Sequence, residues 1–212
     1  MMKIVETKVL RGPNYWSNFR KKLIVMKLDI GVLEEQPTNK IPGFPQRLKA
    51  MFPSMKTHRC SKTHEGGFFE RVDEGTWMGH VIEHIALEIQ TLAGMDVGFG
   101  RTRGTGHKGI YNVVFSYMEE KVGLFAAKSS VAIAEALIAG KEYDLASDVA
   151  RMREIRESVR CGPSTGSLVD EAVARDIPYI RLNKESLIQL GYGKNQVRFR
   201  ATMTHRTSSI AV

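Results

Sequence analysis

The sequence predicts an α+β fold, a small and mostly antiparallel sheet packed by helices, followed by the start of an α/β unit. Three observations lead to this prediction. Segments of alternating apolar residues lie near the N-terminus and again before residue 118. Long segments with helical periodicity occupy residues 119–159. After a break rich in glycine and proline at 161–166, strands and helices alternate, which is typical of an α/β unit.

The predicted sheet begins with two strands. Residues 2–10 alternate in hydrophobicity, and the Gly-Pro-Asn sequence at 12–14 ends this strand. Residues 22–30 form the second strand, and the short connection between the two favours an antiparallel pair. Residues 110–117, with the sequence IYNVVFSY, form the strongest predicted strand of the chain.

The middle of the chain is predicted to mix loops with short elements. Residues 34–45 contain three prolines and predict a loop, and a short helix is expected at 46–51. Residues 66–72 are interpreted as a strand. Residues 98–106 contain four glycines and are interpreted as a mobile loop.

Two helices and a domain boundary follow. Apolar residues at helical spacing predict helices at 119–139 and 145–159, and Gly140 is expected to end the first. We place the domain boundary at the composition break, so that one domain covers residues 1–161 and a second begins at residue 162.

The second predicted domain starts with short elements. Helices are expected at 167–175 and 184–190, and strands at 178–182 and 197–203. The last residues form a strand-like run without neighbouring strands to pair with, so we expect the sequence to stop inside a domain.

Composition limits the class of partner. The 212 residues include 31 lysines and arginines and 23 aspartates and glutamates, a formal net charge of +8, which favours an acidic polymer as a partner. The basic residues are not clustered as in a nucleic-acid-binding arm, so we expect no nucleic-acid partner. No signal peptide is visible, and no segment reaches the ~18 apolar residues of a membrane span. Together with two isolated cysteines, this predicts a cytoplasmic protein without a membrane partner.

The helix predicted at 77–94 carries a buried stripe and possible metal ligands side by side. Thr76 is expected to be its N-cap and Gly94 to end it. Its apolar residues cover roughly a third of the helix circumference; they are Met78, Val81, Ile82, Ile85, Ile89 and Leu92. Beside this stripe lies an arc of polar residues; it consists of His80, His84 and Glu88.

Residues 80–84 match the pattern H-x-x-E-H of the inverted zinc peptidases. His80 and His84 lie about 6 Å apart along the helix axis, so both imidazoles can bind one zinc ion. Glu83 can then take a proton from bound water and is the candidate catalytic base. A solvated helix face with two histidines and several glutamates gives the same pattern without a metal.

The sequence does not fix the third ligand. Glu88 lies about 12 Å from His80 along the helix axis, so it is either a ligand of a bent helix or a supporting residue. In the inverted peptidases the third ligand is a glutamate from further along the chain, and Glu120 is such a candidate. Glu74 can instead orient a histidine ring through a hydrogen bond.

Two other segments carry groups that can bind ligands. His58, Cys60 and His64 are not assigned to a metal, because their spacing matches no established site. Arg101 and Arg103 lie among the glycines of residues 98–106 and can clamp a carboxylate or phosphate, although a flexible crossover explains the segment equally well. This segment lacks the Gly-Lys-Ser/Thr of a phosphate-binding loop.

Several long motifs resemble the N-terminal part of the cyanophycin synthetase family, and the resemblance covers essentially the whole chain. They are RGPNYWS at 11–17, GHVIEHIALEIQ at 79–90, AGMDVGFGRTR at 93–103, GPST at 162–165 and QLGYGKNQVRFRATMT at 189–204. That family makes a polymer with an aspartate backbone that carries arginine on each side-chain carboxylate. It does so in ATP-dependent steps, with an ATP-grasp domain and a Mur-ligase-like domain.

The resemblance implies a role for each predicted domain. Residues 1–161 correspond to the N-terminal domain that holds the growing polymer, and residues from 162 onward to the start of the ATP-grasp domain. ATP and Mg²⁺ are then needed only in domains beyond Val212, so this chain alone is not expected to ligate. One departure is His205, which stands where relatives are expected to have an acidic residue.

Three functions follow from these observations. The first is a module that binds cyanophycin, with Arg101 and Arg103 as candidate contacts. The second is a zinc-dependent hydrolase, since in some members the N-terminal domain resembles a metallopeptidase that cuts the polymer internally to make primers; His80, Glu83 and His84 match that feature. The third is a structural module, in which the helix at 119–139 nucleates a homo-oligomer of the full enzyme.

Overall fold

The computed structural model describes residues 1–20, 22–183, 185–201, 203–204 and 206–207. The chain divides into two compact units, Met1–Arg156 and Glu157–Val212. Each unit contains an antiparallel sheet and at least one helix, which confirms the predicted α+β class. The assignment of the second unit to an ATP-grasp domain stays a prediction.

A four-stranded antiparallel sheet forms the frame of the first unit. In sequence order its strands are β1 (Lys3–Arg11), β2 (Lys22–Asp29), β3 (Gly100–Gly104) and β4 (Ile110–Ser116), and their spatial order is β1-β2-β4-β3. The predicted strands at 2–10, 22–30 and 110–117 are therefore confirmed. On the face that packs against the helices, β2 contributes Ile24, Met26 and Leu28, and β4 contributes Val113 and Phe115.

Among the described residues, five helices begin in the first unit. They are α1 (Phe44–Met51), α2 (Gly67–Glu74), α3 (Met78–Leu92), α4 (Glu120–Ala139) and α5 (Leu145–Val159). Short 3-10 turns occupy the predicted loop before α1 and the segment between α1 and α2. α3 packs against α4 and against β3 and β4. Most residues of α3 are buried, including polar ones, which brings the candidate ligands into the interior.

α4 is, among the residues that the structure describes, the one helix long and apolar enough to cross a membrane, and 56% of its apolar window is buried. Its buried side chains belong to the main core, and Gly123 lets it approach the sheet closely. A Cβ atom at Gly123 would lie 2.8 Å from Cβ of Tyr117 and 3.1 Å from Cγ1 of Ile24. Core packing thus accounts for the apolar composition of α4.

The prediction of a strand at 66–72 is wrong, because these residues form α2. Phe68 and Val72 are fully buried and lie four residues apart, about one helical turn. In a strand they would share a face with Glu70, which is exposed. The burial pattern therefore has the period of a helix.

The mobile loop predicted at 98–106 is also wrong in part, because residues 100–104 form the edge strand β3. Arg101 pairs with Val114 and Arg103 with Asn112 on β4. Four of the five residues lack the β-branched or aromatic side chains that mark a strand. Pairing with β4, the next strand of the same hairpin, determines this strand.

The second unit contains α6 (Pro163–Ala174) and a second antiparallel sheet. Its strands are β5 (Tyr179–Arg181), β6 (Leu187–Leu190), β7 (Val197–Arg200) and β8 (Met203–Thr204). Each strand pairs with the next one along the chain. The helix predicted at 184–190 is wrong, since Ile188 pairs with Arg181 and Phe199 as part of β6. Residue 205 and the strand-like run at 208–212 lie outside the described residues.

Candidate metal centre

The polar residues of α3 line a cleft of about 960 Å³ in the first unit. One wall is α3 itself, a second is the segment at 54–61 that precedes α2, and the third is the edge strand β3. Most of α3 is buried against the sheet and α4, and His80, Glu83, His84 and Glu88 face this cleft.

Three side chains of the cleft converge on one point. The ligand atoms of Cys60, His80 and His84 all lie within 4.8 Å of one another. Sγ of Cys60 lies 3.1 Å from Nε2 of His80, and the ring centroids of His80 and His84 are 4.8 Å apart. The fold therefore adds a thiol, 20 residues before His80, to the histidine pair that the sequence indicated.

The turn that carries Cys60 has an uncommon backbone conformation. Cys60 has a φ of +55°, in the left-handed region that residues other than glycine rarely adopt. The turn packs tightly on α2, because a Cβ atom at Gly67 would lie 2.3 Å from the carbonyl oxygen of Arg59. Such outliers persist where the surroundings hold them, and they are often found at functional sites.

The donor set fits zinc. One cysteine sulfur and two histidine nitrogens are zinc ligands, and three protein ligands with an open fourth position are typical of catalytic sites. Nδ1 of His80 lies 3.0 Å from the hydroxyl oxygen of Thr76, and Nδ1 of His84 lies 2.9 Å from Nδ1 of His58. Nε2 of both rings is therefore the nitrogen that remains for a cation. Thr76 is not the N-cap, a position that Trp77 takes.

Both histidines of α3 are held in the neutral form that binds metals. Burial lowers the pKa of His80 to about 4, and the nearby charge of Arg71 adds to this effect. Burial, followed by the neighbouring His80 and His58, lowers the pKa of His84 well below its usual range. Neutral imidazole at physiological pH leaves a nitrogen lone pair available.

Glu83, the predicted base, is buried in the same cleft. Its Oε2 accepts a hydrogen bond of 2.6 Å from the hydroxyl of Thr102 on β3. Gly100 leaves room for the carboxylate, since a Cβ atom there would lie 2.3 Å from Oε1. Burial raises the pKa of Glu83 to about 7, while the hydrogen bond from Thr102 and the charge of Arg101 oppose it. A carboxyl group with this pKa is suited to general base catalysis near neutral pH.

Glu88, the proposed third ligand, has partners of its own. Its Oε2 lies 2.8 Å from Nε2 of His58, and its Oε1 accepts a hydrogen bond from Ser54. Burial raises the pKa of Glu88, but the hydrogen bonds from His58 and Ser54 lower it more. Glu88 is not among the three residues whose ligand atoms converge, and its role as a ligand stays a prediction.

The other candidates lie elsewhere. Glu120 forms two hydrogen bonds with Arg11, of 2.6 and 2.7 Å, and Glu74 is paired with Lys62. His64 lies 3.5 Å from Glu70 and does not line the cleft.

His58 and Cys60, which sequence spacing does not assign to a metal, are brought by the fold to His84 and His80. Their spacing to α3 has no local signature. The only signal in the sequence is that a histidine and a cysteine precede the H-x-x-E-H motif by about 20 residues.

Four arginines line the cleft, and two of them are the predicted polymer contacts Arg101 and Arg103. Nη1 of Arg101 donates a hydrogen bond of 3.2 Å to the carbonyl oxygen of Trp16, and its guanidinium lies 5.7 Å from the ring centroid of Phe99. Arg103 is exposed on β3. Arg59 and Arg71 complete the set.

The model of the family described as "Cyanophycin synthase-like N-terminal domain" matches residues 23–139, more than half of the chain. The chain belongs to this family. The match runs from β2 to the end of α4 and includes every residue of the candidate metal centre.

Curated relatives of the chain carry the name "Cyanophycin synthetase". It is 49% identical to that of Geminocystis herdmanii, 48% to that of Crocosphaera subtropica and 47% to that of a Synechocystis species. Each alignment covers 100% of this chain but 24% of the relative, so the chain spans about a quarter of their length. The predicted resemblance to the N-terminal region of this family is therefore confirmed.

Proposed function

We propose that this chain binds cyanophycin and that the cleft along α3 holds a segment of the polymer. The relatives are named for cyanophycin, and the family resemblance implies a polymer of aspartate and arginine. Arginine joined to aspartate through its amine keeps a free carboxylate and a free guanidinium. The polymer therefore presents both charges along its length.

The observation that carries this proposal is the charge of the cleft. Four arginines line the cleft and can pair with carboxylates of the polymer. Two glutamates, Glu83 and Glu88, also line it, on the wall formed by α3. Arginine suits this role because its guanidinium can form two parallel hydrogen bonds with a carboxylate. Arg103, which is exposed on the edge strand, is best placed to meet an incoming chain.

Retention of the purified chain on immobilised cyanophycin, at low and at moderate salt, tests the proposal. We expect binding at low salt and a several-fold loss for Arg103→Gln, mostly in the salt-dependent part. Arg101→Gln should also weaken binding, but by less, because Nη1 of Arg101 already donates a hydrogen bond to the carbonyl oxygen of Trp16. Lys128→Gln is the matched control, since Lys128 is exposed on α4 and does not line the cleft. No retention at either salt concentration contradicts the proposal.

A second function, zinc-dependent cleavage within the polymer, is favoured by the convergence of Cys60, His80 and His84. Bound zinc would polarise an amide carbonyl and lower the pKa of water. The Cys60 thiolate and Nε2 of the two histidines would hold the ion. Glu83 would accept the proton of the attacking water at its carboxylate and pass it to the leaving amine.

Metal analysis and one variant test this second function. We expect about one equivalent of zinc in the wild type, as in other three-ligand sites, and progressive shortening of cyanophycin. Glu83→Gln should retain the zinc and lose the cleavage. A wild-type chain with only a trace of zinc and no shortening of the polymer rules out the hydrolase.

We infer that the ligase activity, with its ATP and Mg²⁺, belongs to the part of the relatives that this chain does not span. We also propose a cytoplasmic location, and a homo-oligomer for the full-length enzyme. Sedimentation of the chain at high concentration tests whether this region contributes to assembly, and a monomer would remove the proposed role of α4.

A further inference from the structure

We propose that His58 is a positioning residue of the metal centre and that Glu88 acts through it rather than as a ligand. The inference rests on the zinc site proposed above. Three side chains form a line: Oε2 of Glu88 lies 2.8 Å from Nε2 of His58, and Nδ1 of His58 lies 2.9 Å from Nδ1 of His84. We call these three residues the Glu88–His58–His84 relay.

Hydrogen-bond chemistry fixes the direction of the relay. A carboxylate only accepts hydrogen bonds, so Nε2–H of His58 must donate to Glu88. In a neutral His58 ring, Nδ1 is then the acceptor. The hydrogen between the two rings must come from Nδ1 of His84, which leaves Nε2 of His84 with a free lone pair. The carboxylate thus selects, through His58, the tautomer of His84 that binds a metal.

The relay is also held in place. Ser54 donates a hydrogen bond to the other oxygen of Glu88, so both carboxylate oxygens have partners. The ring of Phe68 stacks on His84, with a centroid distance of 3.9 Å and an interplanar angle of 18°. Glu88 is 3% exposed, and a carboxylate so buried needs partners of this kind.

The geometry explains why a ligand role for Glu88 is not needed. Glu88 lies two helical turns beyond His80, about 12 Å along the axis. His58 spans the distance between Glu88 and His84, which are themselves one turn apart. Thr76 makes the corresponding contact with Nδ1 of His80, so each histidine of α3 is oriented from outside the helix. The two contacts differ, because His58, the partner of His84, is itself bonded to the carboxylate of Glu88.

Zinc affinity, measured by competition with a chromophoric chelator, tests the relay without recourse to activity. We expect Glu88→Gln and His58→Gln each to weaken zinc binding about 10- to 100-fold, the usual effect of losing an outer partner of a ligand. Glu88→Gln preserves the shape of the side chain, so it tests the relay even if the His58→Gln variant does not fold. His64→Gln should leave affinity unchanged, because this exposed histidine of the same segment does not line the cleft.

Two further measurements separate positioning from structure and from ligation. If Glu88 acts through His58, the double variant should lose no more affinity than the larger single loss. The visible spectrum of the cobalt-substituted chain should shift in both relay variants. It should stay unchanged in Leu87→Ala, which removes packing from the same wall.

The outcomes are distinct for the two proposals. A wild-type chain that binds no zinc removes the zinc site and the relay with it. Tight zinc binding that neither relay variant weakens overturns the relay alone. Additive losses in the double variant also overturn it, since they assign Glu88 an effect that is independent of His58.

Discussion

α3 and α4 pack against each other and against the same sheet, but they bury different chemistry. The polar residues that α4 buries are two serines, and Ser130 donates its hydrogen bond to Ala127 within the same helix. α3 buries two carboxylates, an imidazole and an amide; they are Glu83, Glu88, His84 and Gln90. The buried polar groups of α4 are hydroxyls, one of which, that of Ser129, bonds Tyr143, whereas α3 also buries ionisable groups.

The difference shows where function resides. A buried carboxylate or imidazole is costly unless another group bonds it. For α3 these partners come from elsewhere in the chain: Thr102 on β3 bonds Glu83, and His58 and Ser54 bond Glu88. Two segments, β3 and the segment at 54–61, thus converge on one face of α3, and core packing alone would not require this. The convergence is a property of the site.

The largest effect should come from the apolar helix. Ile133→Ala should lower the free energy of unfolding by about 2–5 kcal/mol, because Ile133 is fully buried in the main core. Chemical denaturation measures the loss. Lys128→Ala, on the exposed side of α4, should change it by no more than about 0.5 kcal/mol. Equal effects of the two substitutions would mean that α4 is not the core helix described above.

The buried carboxylate of α3 should make stability depend on pH. The pKa of Glu83 is raised to about 7 from its usual value of 4.5, so the folded chain binds the proton more tightly than the unfolded chain. The stabilisation of the folded chain by Glu83 is fully present below pH 4.5 and is lost as the pH rises through about 7. A shift of this size corresponds to about 3 kcal/mol.

Glu83→Gln removes the titration and tests this prediction in the metal-free chain. Relative to the wild type, the variant should become more stable as the pH rises from about 4.5 to 7, by up to about 3 kcal/mol. Unfolding by urea at a series of pH values measures the difference. A constant difference across this range would show that Glu83 does not titrate as described.

Close packing between β3 and α3 should have the next effect. A Cβ atom at Gly100 would lie 2.3 Å from Oε1 of Glu83, so Gly100→Ala must displace the carboxylate. Overpacking of this kind costs about 1–3 kcal/mol. Gly98→Ala is the matched control, because nothing lies within 4 Å of a Cβ atom there. Thermal unfolding of the two variants compares them, and similar melting temperatures would contradict the contact.

Local periodicity predicts some parts of α3, α4 and the sheet, and tertiary contacts determine the others. The apolar stripe of α3, the helix α4 and the strongest strand follow from local periodicity, and the pair His80–His84 follows from one helical turn. Cys60 and His58 do not, because only the tertiary fold brings them to α3. The incorrect prediction of a strand at 66–72 gave no sign of this arrangement. These residues form α2, which packs against the segment that carries His58 and Cys60.

β3 illustrates the same limit on the outer wall of the cleft. Its glycines make it resemble a loop, but Gly100 is small because the carboxylate of Glu83 lies next to it. A glycine that makes room for a neighbouring side chain of the site can thus prevent the strand that contains it from being predicted from the sequence. Local propensity fails at such positions because tertiary contacts, which no short window contains, determine the structure.

The smallest effect concerns the hydrogen bond that joins β3 to α3. Thr102→Val keeps the shape of the side chain but removes the hydroxyl that donates to Oε2 of Glu83. Because this bond favours the ionised carboxylate, its loss should raise the pKa of Glu83 above about 7. Above that pH the variant should be less stable by about 1–2 kcal/mol, the cost of an unpaired buried acceptor. Carbon-13 NMR titration of the side-chain carboxyl measures the pKa, and an unchanged value would show that the hydrogen bond from Thr102 does not contribute to it.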